Sequence, residues 1–453
     1  MAASPSMIAA VEALWRIPRP GPDNLLAAPS FVALSEVCQS EYGGGKPVWA
    51  LSTALRSLGL PCHLPASKSG LSADPVSAAN AIDEAYRRKT TLRRHLCPLD
   101  LADDLPVLSF GNARVAEFSA DDLAALFDAP RLARNFHNQP FEAKRLAQFH
   151  WLVVEEEIEL DPRPEARTAP FMYMTFNRDF GEIDPHLGRF PPAVEAALFF
   201  LLLAPWEKWS TMQEVDWRGF RVPWIHTVDD DLFVRPSRPP SADSLSLEPW
   251  IVQDHWGEDV ELERPTALRL DDEAASELAL FTDSAWRELQ TARSAGLFET
   301  PIAHFLVRAF LADGMDEVMA HMTAIEAAVG LEMDHKKWLR PKPDPHKNVS
   351  SATQRVAARV AAVLKDGASV QAYKNLFELR STFVHGRAGF QKVSTAQRVM
   401  ARSLARGVAR GLVDIALQGA RPRTDALSDL LDHGVQYLQA LGRNGLIGDV
   451  DGK

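Results

Sequence analysis

An arginine followed five residues later by a histidine, in the run Leu379-Arg380-Ser381-Thr382-Phe383-Val384-His385-Gly386, is the segment whose residue types best suit proton transfer beside a bound anion. Tyr373, Leu376, Phe377, Arg380, Phe383 and Val384 recur at intervals of three and four, so Arg380 falls on the apolar stripe of a helix. An unpaired buried charge costs several kcal/mol, on the order of what a marginal fold can lose. Arg380 therefore needs a carboxylate partner or a cleft that an anion enters, and Glu326, four residues after Met322 on the edge of an earlier helix stripe, is the expected partner. His385 precedes Gly386, a residue type that closes helices in the left-handed conformation. An imidazole at a helix C-terminus is favoured in its protonated form, yet still exchanges a proton near neutrality. Ser381, one turn earlier, is placed to orient that ring. The alternative is an inert arrangement in which Arg380 is a structural ion-pair residue and His385 a helix cap.

Arg398, Arg402, Arg406 and Arg410 form a second pattern, four guanidinium groups at strict i, i+4 spacing with no acid in their helix before Asp414. Like charges at that spacing are mildly unfavourable, by a few tenths of a kcal/mol, on the order of a surface ion pair. The row needs an anion, either RNA phosphates or acids of the N-terminal part of the chain. Residues 336–423 carry eighteen Lys and Arg against four acids, although the whole chain has a net charge of −11. A basic segment inside an acidic protein fits a nucleic-acid partner, and Arg387 is placed with the arginine row as a candidate RNA contact.

The elements that must position these residues read as two domains. Residues 1–235 mix helical stretches (8–16, 48–58, 78–95) with alternating, strand-like runs at 149–160 and 171–176 and a hairpin over 222–234 that turns at Asp229-Asp230-Asp231. The expected fold there is α+β. Residues 236–274 open with a Pro- and Ser-rich stretch and read as a loop or linker with extended segments. From 275 to 443 the pattern is that of an all-α bundle of five or six helices, with glycine and proline breaks at 296, 330–345, 367, 386–389 and 419–422. Seven of the eleven tryptophans lie between 206 and 286, which predicts a packed wall between the halves or a stacking surface for bases or sugars.

The Leu379–Gly386 run, preceded by Tyr373-Lys374-Asn375-Leu376-Phe377-Glu378, resembles the Arg-x4-6-His signature of HEPN domains, closest to their Apea-like branch. The stretch from Met322 to Gly330 resembles the earlier core helix of that family, and the arginine-rich helix after Gly389 its closing helices. The resemblance covers the last third of the chain, about 170 residues. It departs from the family at Ser381, where many members carry Asn, Asp or His. What it implies is a HEPN-like helical bundle that cleaves RNA without a metal or other cofactor. Such domains usually act as homodimers in which two motif helices face each other, often in defence or toxin systems. In this reading His385 takes the proton of a ribose 2′-OH and Arg380 stabilises charge on the phosphoryl oxygens. Five residues turn an ideal helix by about 140° net, so one chain points Arg380 and His385 apart, and a two-chain site relieves this. The competing reading is a non-catalytic module that binds RNA, nucleotide or a protein partner.

Other patterns carry less. Three well-separated cysteines, Cys38, Cys62 and Cys97, fit a reducing compartment. The N-terminus does not read as a signal peptide, and the most apolar run, 196–204, is shorter than the roughly 20 residues that span a bilayer. A cytoplasmic protein with no membrane partner is expected. Gly43-Gly44-Gly45-Lys46 fails as a phosphate loop because Ser40 and Pro47 stand where Gly and Ser or Thr are required. His335 and His346 with Asp334 and Asp344 read as a solvated loop, and Glu155-Glu156-Glu157 and the Asp229 run as solvated faces or turns.

Overall fold

Pro5, Pro29 and Pro75 each open a helix at its first turn, where the missing N–H costs nothing. Ser4 accepts a hydrogen bond from the Met7 N–H, and Asp74 from the N–H groups of Val76 and Ser77. These caps start Pro5–Trp15 and Pro75–Arg87, which pack with Pro29–Tyr42 and Val48–Ser57 around Met7, Leu14, Phe31, Leu51 and Ile82. The computed structural model describes residues 2–173, 179, 181–183, 187–386, 392–419 and 421–447, without the side chains of 172 and 441–447.

Two compact units divide the chain. The first takes Met1–Asp100, Asn112–Ile183 and Val222–Thr266; the second takes Leu101–Gly111, Asp184–Arg221 and Ala267–Lys453. This interleaving departs from the expected boundary at 235 and linker over 236–274. The Pro/Ser-rich stretch is tied into the first unit: Glu142 accepts from the Ser241 hydroxyl at 2.8 Å and the Ala242 N–H at 3.0 Å, and Asp100 from the Ser246 N–H at 2.8 Å. Conversely, Trp217 and Arg218 are tied into the second unit, through Glu317 at 2.5 Å and the Phe310 carbonyl at 2.8 Å.

The first unit is α+β. Ala113–Glu117, His150–Glu159, Thr90–Leu99 and His226–Asp229 neighbour one another in that order, all antiparallel. The helix expected over 78–95 stops at Arg87, and the β-branched pair Thr90-Thr91 opens a strand instead. Only His226–Asp229 of the expected 222–234 hairpin is a strand. The chain beyond it is gripped by buried Arg131, which donates to the carbonyls of Asp229 at 2.7 Å, Asp231 at 2.8 Å and Val234. One guanidinium thus satisfies acceptors that a second hairpin strand would otherwise have to meet. In the 171–176 run, Pro170–Tyr173 forms a 3-10 turn, and residues 174–176 lie outside the described residues. Leu247–Gln253 and Asp259–Pro265 form a two-stranded ribbon on which Trp250 and Trp256 are exposed.

The second unit is helical among its described residues, apart from the short strand Leu108–Phe110. Met315–Val329 is its central helix and packs against Ile302–Leu311, Ala352–Leu364, Ala368–Val384 and Thr395–Leu417. Val318, Met322, Ile325 and Val329 are buried along the expected stripe. The apolar run near 200 forms the buried helix Pro192–Leu201, beside buried Trp206, Trp209 and Trp217. No described helix is long and apolar enough to cross a membrane.

Buried His226, stacked on Phe127 at 5.1 Å, has its pKa pushed down to about 4 by burial. The unfolded ring titrates near its ordinary 6.5, so between the two values the unfolded chain binds the extra proton. Stability is therefore full above pH 6.5 and falls as pH drops towards 4, by about 3 kcal/mol for this group. Urea midpoints measured across that window should fall with acidification in the parent and fall less in His226→Phe; identical slopes would refute the assignment.

Candidate functional site

The helix Ala368–Val384 carries the Arg/His motif. It starts where the Ala368 N–H meets the Asp366 carboxylate at 2.9 Å, and it ends at His385, whose N–H bonds the Ser381 carbonyl at 3.0 Å. Gly386 follows with φ +58, the left-handed stop that its position implied. Tyr373 and Leu376 are fully buried, Phe377, Arg380 and Ser381 are half-buried, and Phe383, Val384 and His385 are exposed. The apolar stripe is thus buried only over its first half.

Arg380 Nη1 donates to Glu326 Oε1 at 3.2 Å, and each side chain is 30% exposed. The guanidinium also lies 5.8 Å from the Phe377 ring centre, while its Nε has no hydrogen-bond partner. Burial raises the pKa of the Glu326 carboxyl, with Arg380 and His335 pulling the other way. These side chains line a cleft of about 390 Å³ together with Tyr373, Thr353 and Glu332. His385 does not line it. The structure therefore brings Arg380 and Glu326 together and leaves His385 beyond the helix end. Ser381 reaches His385 through its backbone carbonyl; among the described residues its hydroxyl makes no bond to the ring.

Of the two anions left open for the arginine row, RNA phosphates or acids of the N-terminal part of the chain, the structure supplies acids inside the second unit, Glu207 from the N-terminal part and Glu317 from the central helix. Most of the row is therefore not a free RNA-binding face. Arg398 pairs with Glu317 at 2.8 Å and Arg406 with Glu207 at 2.8 Å. Arg402 is fully buried: it donates to the Leu202 carbonyl at 2.6 Å, approaches Glu207 at 3.6 Å and sits 4.9 Å over the Trp217 ring. Burial lowers its pKa to about 10 against the pull of Glu207, so it is still charged near neutrality. Only Arg410 is substantially exposed, beside Asp414 at 3.8 Å. Arg387 lies outside the described residues. Part of the wider basic excess is internal too, although Lys336, Lys337, Lys342, Lys347, Lys365 and Lys392 are exposed. Arg359 forms a buried pair with Asp334 at 2.5 Å, Arg355 meets Asp344 at 2.5 Å, and Arg423 donates to the carbonyls of Leu297 and Ala327.

Glu207, Glu317, Trp217 and His321 were not singled out from the sequence. The available signal was an acid set among apolar and aromatic neighbours, Trp206-Glu207-Lys208-Trp209, where a carboxylate implies a buried cation. His321 is fully buried, both ring nitrogens lack partners, and its pKa is driven well down by burial and then by Arg402, Arg218 and Arg398. His346 pairs with Asp432 at 2.5 Å rather than with His335. Among the described residues, no group of three or more His, Cys, Asp or Glu side chains is placed to hold a metal ion.

Comparison with protein-family models, curated proteins and solved structures finds no match to this chain.

Removing one member of a buried charge cluster strands the others. Glu207→Gln should destabilise the protein by about 3–5 kcal/mol, because Arg402 loses its counter-charge where water cannot replace it. Adding Arg402→Met to that variant should restore most of the loss in a urea titration, and an additive double mutant would contradict the coupling.

Proposed function

We propose that the chain is a metal-independent endoribonuclease of the HEPN type, acting as a homodimer through its C-terminal bundle. The observation that supports this reading is the placement of His385, an exposed imidazole at the end of the helix whose preceding turn carries Arg380. His385 removes the proton of a ribose 2′-OH, and that oxygen attacks the adjacent phosphorus. The 5′-oxygen leaves with a proton from the second copy's His385 or from water. The products are a 2′,3′-cyclic phosphate and a 5′-OH. Arg380 uses one donor on Glu326 and keeps others for the phosphoryl oxygens.

Within one chain Arg380 lines the cleft and His385 does not. Two copies packed at their motif-helix ends pair the histidine of one with the arginine of the other. Exposed Val384, with Phe383 beside it, supplies apolar surface for that contact. Defence against phage or a toxin system is the setting that the resemblance suggests. The Arg380–Glu326 pair favours a second reading, in which the guanidinium is structural and the bundle is a non-catalytic module binding RNA, nucleotide or a protein partner.

Incubation of purified protein with mixed RNAs in EDTA tests the choice. The parent should yield 2′,3′-cyclic phosphate ends, with the rate falling by about 10²–10⁴-fold in His385→Ala. It should also fall in Arg380→Ala, with the fold of both variants checked by circular dichroism. RNA that is retained but uncut by the parent, with retention lost in Arg380→Ala, favours the binding module. RNA neither cut nor retained contradicts both RNA readings.

A further inference from the structure

A second cleft of about 390 Å³ lies in the helical unit, away from the motif helix. It opens where Pro192–Leu201 packs against Ile302–Leu311, beside the end of Asp283–Arg293. Its apolar walls are Phe190, Pro192, Phe298 and Pro301. Its polar groups are Glu195, Arg293, Glu299, Thr300 and His304, and both carboxylates and the hydroxyl have partners of their own. Glu195 accepts the Phe190 N–H at 3.3 Å and faces His304 Nδ1 at 4.0 Å. Gly188 lets the backbone pass this carboxylate, since a Cβ there would come within 2.1 Å of Glu195 Oε1. Thr300 gives its hydroxyl proton to the Ala327 carbonyl at 2.7 Å, and Glu299 lies 3.9 Å from Arg423.

Arg293 is different. This half-buried guanidinium touches the Phe199 ring at 5.9 Å and has no carboxylate, carbonyl or hydroxyl partner among the described residues. Burial lowers its pKa, and no acid offsets the effect. A guanidinium with five donors and no acceptor, set beside the apolar wall of a concave site whose two carboxylates are held by other groups, is placed to receive a ligand's negative charge. His304 lines the same cleft, and its buried Nδ1, 4.0 Å from Glu195, has no hydrogen-bond partner, so the ring has capacity left for a ligand.

We infer that this cleft binds a small organic anion, a carboxylate or phosphate carrying an apolar group, with Arg293 as counter-ion and His304 as hydrogen-bond partner. The site is separate from Arg380 and His385 and does not depend on RNA cleavage.

Calorimetric titration of the full chain with phenyl phosphate, benzoate, inorganic phosphate and phenol tests this. Phenyl phosphate or benzoate should bind more tightly than inorganic phosphate, and phenol should not bind; whichever anion binds better identifies the head group. Arg293→Met should weaken that binding at least tenfold, while Arg380→Ala leaves it unchanged. In the parent, phenylglyoxal should modify Arg293, and the bound anion should protect it, a readout that needs no folded variant. No binding of either aryl anion, equal binding of phenol, or modification of Arg293 indifferent to the anion overturns the inference. An affinity lost in Arg380→Ala and kept in Arg293→Met does so as well, and moves the anion to the other cleft.

Discussion

A guanidinium taken out of water must find both a counter-charge and acceptors for its donors, and the helical unit is organised around that requirement. Arg359 shows it most fully. From the helix Ala352–Leu364 it pairs with Asp334 and donates to the carbonyls of Val329 and Leu427. The Val329 carbonyl ends the central helix, and Leu427 lies in Arg423–Ile447. One side chain thus fixes the spacing of three helices, and close approach is possible where Gly434 passes the Ala358 carbonyl, a contact that a Cβ would close to 2.1 Å. Arg402 and Arg406 repeat the device with a single carboxylate, Glu207, between them.

This internal use of arginine limits where an anion can act. Much of the arginine in a stretch that looks like a nucleic-acid surface in one dimension becomes, once folded, buried ion pairs, while Lys337, Lys342, Lys347, Lys365 and Lys392 stay exposed. Arg380 keeps donors to spare at the rim of one cleft, Arg293 stands in the wall of another, and Arg410 lies at the surface. His385 stands outside both clefts, at a helix end whose apolar stripe has run past the core. The exposed Val384 near the end of that stripe is the apolar surface on which the proposed dimer would rest.

The first unit obeys the same rule with different partners. Arg131 is buried against backbone carbonyls, Arg93 pairs with Asp229 at 3.0 Å and Arg94 with Asp230 at 2.7 Å. The aspartate run that suggested a solvated turn is therefore the charged seam that fastens a strand end to its neighbours.

The sequence alone determined what depends on neighbours a few positions away. Helical periodicity gave the central helix and the motif helix, Gly386 marked a helix end, and a guanidinium on an apolar stripe required an acid such as Glu326. Each follows from a repeat of three or four residues or from the backbone preference of one residue type. Only the tertiary structure decided which acids answer the arginine row, because Glu207 lies about two hundred residues from Arg406 and any anion satisfies the same electrostatic need. It also turned residues 90–95 from helix to strand, where pairing with 154–159 outweighs local pattern, and interleaved the two units along the chain. Long-range pairing and burial carry no short-range signature, so these choices became visible only in the folded molecule.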